Sequence, residues 1–355
     1  MERRIVIMAG GTGGHVFPAL AVALLLRERG WQVSWLGTRQ GLESRVVPQH
    51  ALPLDAIDVV GWRGKSRAEQ GVAVWRLVKA LWQAVRCLRQ RRPHVVLGMG
   101  GFVAAPGGVI ARLLGVPLVI HEQNRIPGTT NRWLAHIATR VLEAFPESFA
   151  PTVAAVCTGN PLRPGIVTRA AMPRAAYDAT RPLRVLVVGG SLGAKVLNET
   201  VPEALRYLPQ PLEILHQTGG AALRDEVAAA YARLGLTAEV KAFIDDMAES
   251  YQWADVAVCR AGAMTIAELA AMALPAVLIP FPYAIDDHQT ANARYLAERS
   301  AAVLLPQTDL TAKTLAEALQ RVIDERFNMV DPLRALAVLD ATERVVAWCE
   351  QEAQS

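Results

Sequence analysis

The chain is poor in the features that staple, anchor or metallate a protein. Its 355 residues include only four cysteines, Cys87, Cys157, Cys259 and Cys349. They are far apart, form no C-x-x-C pair and stand near no histidine cluster at zinc spacing. That argues against a disulfide framework and a structural zinc, and fits a reducing cytoplasm. No stretch reaches the ~18 uninterrupted apolar residues of a membrane-spanning helix. The apolar run 270–282 is broken by Pro275 and Pro280, and the opening run 5–9 is too short for a signal peptide. No D-x-D triplet occurs, so a metal bridge to a diphosphate is not expected, and no metal or other cofactor is assigned. Low-complexity and disorder-like segments are missing too.

What the chain has is apolar residues, at 52%, and glycine-rich turns. At this length and composition it can bury two cores. The net charge of +4 hides an asymmetry. Residues 1–163 hold 20 Lys+Arg against 9 Asp+Glu, a net of +11; the remainder holds 17 against 24, a net of −7. A basic half suggests an anionic partner. No aromatic–basic RNA motif or zinc finger accompanies it, so an anionic membrane is favoured over nucleic acid.

Each half opens alike. Arg4-Ile5-Val6-Ile7-Met8-Ala9 leads into Gly10-Gly11-Thr12-Gly13-Gly14-His15, and Leu183-Arg184-Val185-Leu186-Val187-Val188 into Gly189-Gly190-Ser191-Leu192-Gly193-Ala194. Each is a short buried-type strand, a glycine turn and a helical pattern, so the architecture looks duplicated. Further strands are predicted at Val95-Val96-Leu97, Leu118-Val119-Ile120, Val256-Ala257-Val258 and Ala276-Val277-Leu278-Ile279. Strands alternating with helices predict an α/β fold with parallel sheets covered on both faces. The linker is expected near 161–182, where Pro161, Pro164, Pro173 and Pro182 cluster.

A glycine turn between strand and helix brings backbone N–H groups to an anion at a positive helix end. It can also serve only as a tight turn. The dinucleotide fingerprint fails here. Val16 stands where a third glycine is required, and the strand 32–36 runs into Gly37-Thr38-Arg39 without an acidic residue for a ribose. Gly61-Trp62-Arg63-Gly64-Lys65-Ser66 ends like a P-loop, but Val59 occupies the first glycine position. A third cluster, Gly98-Met99-Gly100-Gly101-Phe102 with Pro106-Gly107-Gly108, suits a second phosphate-bearing ligand; Gly107 and Gly108 can equally serve close packing.

The strings at 10–15, 98–101 and 189–194 share the chain with four others. These are His121-Glu122-Gln123-Asn124, Gly159-Asn160-Pro161-Leu162-Arg163, Arg260-Ala261-Gly262-Ala263-Met264-Thr265 with Glu268, and Asp287-His288-Gln289 with Asn292. Together, and in this order over nearly the whole chain, they resemble the MurG family of peptidoglycan glycosyltransferases. The resemblance implies a GT-B fold, two Rossmann-like parallel-sheet domains facing across a cleft. Residues 1–163 would form an acceptor and membrane-facing domain and 164–335 a UDP-GlcNAc-binding domain, with a C-terminal helix at about 336–355 packing back on the first. It implies UDP-GlcNAc as donor and lipid I as acceptor, with inversion at the anomeric carbon, on the cytoplasmic face of the membrane. Donor contacts would come from Thr12, Gly13, Gly14, Asn124, Arg163, Ser191, Ile244, Met264, Thr265, Glu268 and Gln289. Acceptor contacts would come from Gly13, Gly14, His15, Gly100, Gly101 and Asn124. The alternatives are another GT-B enzyme such as a UDP-GlcNAc 2-epimerase, or a non-catalytic membrane-associated scaffold.

An inverting transfer needs a base for the acceptor hydroxyl and stabilisation of the departing diphosphate. His15 is the best base by chemistry, because imidazole titrates near working pH; Glu122 and Asn124 are rivals. Arg163 offers a planar fork for phosphate oxygens, or is a solvated linker arginine. Thr265-Ile266-Ala267-Glu268 reads as a capping box, whereas the resemblance gives Glu268 to the ribose hydroxyls. The amides of Gln289 and Asn292 suit adjacent sugar hydroxyls or cap a helix. Finally, 71–92 reads as a basic amphipathic helix with one broad apolar stripe: Val74, Trp75, Leu77, Val78, Leu81, Trp82, Val85 and Leu88. Such a stripe packs on a sheet or lies in a membrane interface.

Overall fold

The computed structural model describes residues 2–59, 67–173, 177–178, 180–190 and 193–354, with backbone alone at 67–74, 76 and 285. The P-loop-like string 61–66 and the turn residues Ser191 and Leu192 lie outside the described residues. The chain forms two units: Met1–Arg163 with Asp340–Ser355, and Pro164–Leu339.

In the first unit the strands are β1 (Arg4–Met8), β2 (Gln32–Gly37), β3 (Leu54–Ala56), β4 (Val95–Gly98), β5 (Leu118–Glu122), β6 (Arg140–Glu143) and β7 (Val156–Cys157). The helices are α1 (Gly13–Glu28), α2 (Glu43–Gln49), α3 (Arg67–Arg91), α4 (Ala104–Leu113) and α5 (Thr129–Leu134). The strands make one parallel sheet in the order β3-β2-β1-β4-β5-β6-β7. Strand side chains alternate between faces, and both faces of a parallel sheet are covered, so β1 reads as an unbroken apolar run after Arg4. Ile5 and Ile7 enter a core with Val16, Leu26 and Trp35; Val6 and Met8 enter the opposite core with Ala80, Ala84, Leu88 and Ile110. Trp35 is fully buried and donates its indole N–H to the Ala9 carbonyl at 2.8 Å, which holds the end of β1.

The second unit carries α6 (Pro164–Ala170), β8 (Leu183–Val188), α7 (Lys195–Leu205), β9 (Leu212–Gln217), α8 (Ala221–Arg233), β10 (Ala238–Lys241) and α9 (Met247–Trp253). It continues with β11 (Val256–Cys259), α10 (Ala263–Ala271), β12 (Ala276–Leu278), α11 (His288–Ala297), β13 (Val303–Leu304) and α12 (Ala312–Leu336). Its parallel sheet runs β10-β9-β8-β11-β12-β13. The proline-rich stretch predicted as a linker is partly helical, because Pro164 starts α6, a position where its missing N–H costs nothing.

The last helix, α13 (Ala341–Glu352), belongs to the first unit. Val345, Val346 and Cys349 join the core that α1 covers. Arg29–Glu350 at 2.9 Å and Arg140–Glu352 at 3.0 Å pin it at the edges. Burying the two valines stabilises the docked helix by roughly 1.5–3 kcal/mol each.

Each sheet also buries a neutral histidine. Burial pulls His121 on β5 down to about 4, against a bond to Gly159 and the charge of Glu122, and pulls His216 on β9 down to about 3. A depressed folded pKa means that the unfolded chain takes up protons first. Stability is therefore full above the ordinary value of about 6.5 and falls as pH drops toward each folded value. Urea unfolding between about pH 7 and about pH 5 should lose up to ~1.4 kcal/mol per pH unit per histidine. His216→Gln should flatten the slope of the second unit's transition. An unchanged slope would mean that His216 is not held neutral.

Candidate functional site

In each unit the strand order turns back at one point, and the loops leaving the adjacent strands there form the natural ligand crevice. In the first unit these are the loops after β1 and β4, joined at Met8↔Gly98 and by Met99 N–H donating to the Met8 carbonyl at 2.8 Å. In the second they are the loops after β8 and β11, joined at Cys259↔Val188. The glycine strings and the Arg260–Thr265 string occupy these loops.

Gly13, Gly14 and His15 form the first turn of α1; the backbone N–H groups of Gly13 and Gly14 point out of the helix start, while His15 N–H donates to the Thr12 carbonyl at 3.1 Å. Thr12 is the N-cap but makes no side-chain cap, and the first turn has no acidic residue. The starts of α7 and α10, with Ala194 and Gly262 as N-caps, are likewise uncapped and acid-free. By contrast Asp246 caps α9 through Glu249 N–H at 2.8 Å, and Thr311 and Thr314 make a full capping box on α12. Three helix starts at the crevices thus keep their partial positive charge available to an anion.

His15 is held from two sides. Its Nδ1 lies 2.8 Å from Gln123 Oε1, and Gln123 Nε2 lies 3.0 Å from His121 Nδ1 and 3.1 Å from the His121 carbonyl. His121 Nε2 bonds the Gly159 carbonyl at 2.9 Å, and Asn160 Nδ2 bonds the Gln123 carbonyl at 3.1 Å. Beneath the ring lies Gly100, whose φ is +100° and where a Cβ would come within 2.8 Å of His15 Nδ1. Gly100→Ala should therefore be strained by ~1–2 kcal/mol and should displace the imidazole. We expect kcat to fall roughly 100-fold with little change in donor KM. An unaltered kcat would show that the ring does not rest on this glycine.

The other residues expected on the acceptor side divide. Gly101 has a φ of +81° and packs its Cα against the Gly10 backbone, so the two loops touch. Gly107 and Gly108 pack against Met8 and Leu134, and serve helix–strand approach. Glu122, a candidate base, is buried with both oxygens committed. Oε1 accepts from Asn124 N and Nδ2 at 2.9 and 3.1 Å, and Oε2 from Gly128 N and Asn131 Nδ2 at 3.0 and 2.9 Å. Four bonds fill a carboxylate's acceptor sites, so Glu122 shapes the loop that presents Asn124. Arg163 sets its guanidinium 5.3 Å from the Phe17 ring, which lies against Gly13, and so stands beside the first turn of α1.

Glu43 lies in none of the sequence motifs. It is fully buried and accepts from Gly11 N at 3.0 Å, from Thr38 N at 2.8 Å and from Thr38 Oγ1 at 2.7 Å. The space it fills is left by Gly10, Gly37 and Gly41, where any Cβ would strike it. A lone Glu after Gly-Leu carries no signal; the three glycines around it are the trace that could have been read.

In the second unit Gly193 has a φ of +71°, and a Cβ there would collide with the Thr218 carbonyl, so the turn before α7 is tight. Met264 and Thr265 sit in the first turn of α10. The capping-box reading is therefore corrected: the N-cap is Gly262, and Thr265 and Glu268 lie inside the helix. Glu268 is buried and accepts from Tyr251 Oη at 3.1 Å. Ile244, in the loop between β10 and α9, is buried beside exposed Phe243. Gln289 Oε1 accepts Phe281 N–H at 3.0 Å, leaving its NH2 to donate. Asn292, expected at the sugar, is fully buried and donates to the Ala261 carbonyl at 3.2 Å. Arg260 is spent on the fold as well, bonding the Ile279 and Pro280 carbonyls at 3.0 Å and Gln307 at 2.7 Å. Among the described residues no cluster of metal-ligating side chains occurs.

Residues 5–143 match the glycosyltransferase family 28 N-terminal domain, and 184–342 its C-terminal domain. A Methylococcus capsulatus protein named UDP-N-acetylglucosamine--N-acetylmuramyl-(pentapeptide) pyrophosphoryl-undecaprenol N-acetylglucosamine transferase is 57% identical, over 99% of both chains. The crystal structure of Acinetobacter baumannii MurG matches with a TM-score of 0.82 at 40% identity, over 98% of this chain and 99% of that one. A UDP-N-acetylglucosamine 2-epimerase shares the fold, with a TM-score of 0.64 at 12% identity over 98% and 95%. Each of the two units thus has the GT-B-type parallel sheet, and the chain belongs to glycosyltransferase family 28, in the MurG family within it.

Proposed function

We propose that this chain transfers N-acetylglucosamine from UDP-GlcNAc to undecaprenyl-diphospho-MurNAc-pentapeptide, lipid I, to give the lipid II of peptidoglycan synthesis. The observation that carries this reading is the 57% identity, end to end, with an enzyme named for that reaction. The uncapped starts of α1, α7 and α10 support diphosphate binding at both crevices. Donor recognition falls to Ser191, Ile244, Met264, Thr265, Glu268 and Gln289, with Thr12, Gly13, Gly14, Asn124 and Arg163 from the first unit. The acceptor meets Gly13, Gly14, Gly100, Gly101 and Asn124. His15 is the base: its ring is accessible, whereas Glu122 is saturated by four hydrogen bonds. The acceptor hydroxyl gives its proton to His15 as its oxygen attacks the anomeric carbon from the face opposite UDP. The bond to the phosphate oxygen breaks, and the electron pair leaves with UDP, stabilised by helix N–H groups in place of a metal. Turnover of UDP-GlcNAc with a short-chain lipid I analogue, with and without EDTA, tests this. EDTA-insensitive transfer of one GlcNAc is expected. UDP-GlcNAc binding without transfer would point to the epimerase or scaffold readings.

The same reading puts the first unit at the cytoplasmic face of an anionic membrane. No described helix is long and apolar enough to cross one. The predicted stripe of α3 divides: Leu88 is buried and Leu81 and Val85 pack on the core, while Trp75 is 64% and Trp82 61% exposed, beside exposed Leu77 and Val78. Arg86 and Arg89 are exposed nearby; Arg91 instead pairs with Asp55 at 2.7 Å and belongs to the fold. Trp75→Ser combined with Trp82→Ser should weaken binding to anionic vesicles roughly 10-fold or more while UDP-GlcNAc affinity persists. Equal vesicle binding would remove this face from consideration.

A further inference from the structure

We propose that Gln123 and His121 are positioning residues that lock His15 in the Nδ1–H tautomer, so that the Nε2 lone pair alone is presented to the acceptor hydroxyl. This rests on reading His15 as the base. The direction of every proton in the chain follows from its far end. The Gly159 carbonyl can only accept, so His121 Nε2, 2.9 Å away, carries a proton. His121 is fully buried and burial holds its pKa down to about 4, so at neutral pH the ring has that one proton and Nδ1 is a bare lone pair.

Two acceptors, His121 Nδ1 at 3.0 Å and the His121 carbonyl at 3.1 Å, then face the same end of the Gln123 amide. That end must be the NH2. The flipped amide would set its oxygen against both, inside a site where Gln123 is itself completely buried. Gln123 Oε1 is thereby turned toward His15 Nδ1 at 2.8 Å and can only accept from it. His15 consequently carries Nδ1–H, so that in its neutral form the lone pair is on Nε2. Gly100 under the ring and the Asn160 bond to the Gln123 carbonyl keep the two planes in register. Neutral His121 and the neutral form of His15 are thus rings of opposite tautomer, set by one carbonyl and passed through one amide. No carboxylate takes part; Glu122, between the two relay residues in sequence, is committed to the Asn124–Asn131 loop.

The test reads the tautomer directly. The full-length enzyme is labelled with nitrogen-15 histidine, its rings are assigned with His15→Gln and His121→Asn variants, and long-range proton–nitrogen correlations are recorded above the titration range. The expected pattern is Nδ1–H for His15 and Nε2–H for His121 in the wild-type protein. An Nε2–H ring at His15 overturns the relay, whatever the variants do. Gln123→Leu should let His15 relax toward the other tautomer and lower kcat roughly 10- to 1,000-fold, with KM for UDP-GlcNAc unchanged. A fall in kcat with His15 still Nδ1–H would also count against it. If instead the wild-type tautomers are as stated but His15→Ala turns over normally, the relay stands as geometry and the assignment of His15 as base fails.

Discussion

Replacing His15 by alanine is expected to lower kcat roughly 100- to 10,000-fold, the usual worth of a positioned general base. UDP-GlcNAc affinity should hardly change. The imidazole is anchored wholly within the first unit, by Gln123 and by the space over Gly100. On the proposed function its loss removes the base that takes the acceptor proton, while the N–H groups of the α1 first turn remain. Steady-state kcat and KM, with calorimetric UDP-GlcNAc binding, separate the two effects. A rise in KM at constant kcat would instead make His15 a phosphate or backbone partner that moves no proton.

Glu268→Ala should act on the other quantity. A carboxylate taking both ribose hydroxyls makes two charge-assisted hydrogen bonds, each worth about 1.5–3 kcal/mol, so UDP-GlcNAc affinity should fall roughly 100- to 10,000-fold. Glu268 is buried on α10 and accepts from Tyr251 Oη at 3.1 Å, so the variant also removes an acceptor from a buried hydroxyl. Tyr251→Phe is the control. It removes that hydroxyl without touching the carboxylate, and should change UDP-GlcNAc affinity by less than about 10-fold. If Tyr251→Phe weakens binding as much as Glu268→Ala, the pair is structural and the ribose must be read elsewhere. If Glu268→Ala binds UDP-GlcNAc normally, the ribose assignment is lost outright.

The two predictions separate the units. His15→Ala should leave a protein that binds donor normally but transfers slowly; Glu268→Ala should leave the histidine relay unaltered but poorly supplied. Gly100→Ala belongs with the first, because its added Cβ meets the His15 ring.

Strand placement and the alternation of strands with helices were legible in the chain because they rest on local chemistry; the order of strands within each sheet was not, because it is set by pairing across the folded chain. The runs 5–8 and 185–188 are apolar at every position, as strands buried on both faces require, and glycines follow where backbone must approach a ligand or another loop. The ordered motifs, read together, also named the family. Side-chain settings were legible only where a local motif fixes them, as for His15 at the end of the glycine turn that opens α1. They were not where a residue's neighbours come from distant sequence. Glu43, Glu122, Asn292 and Arg260 look alike on paper as polar residues in or near motifs. Burial decides that all four are spent on holding loops, since a buried polar group must find its partners in the fold. The stripe of α3 was similarly ambiguous, because period alone cannot say how wide a face the neighbouring sheet and α4 cover; Leu88 went inward and the two tryptophans did not. Least visible of all was the polarity of the His15 relay. It depends on the Gly159 carbonyl, a backbone atom remote in sequence, meeting a buried ring, and backbone positions carry no sequence signal until the chain has folded.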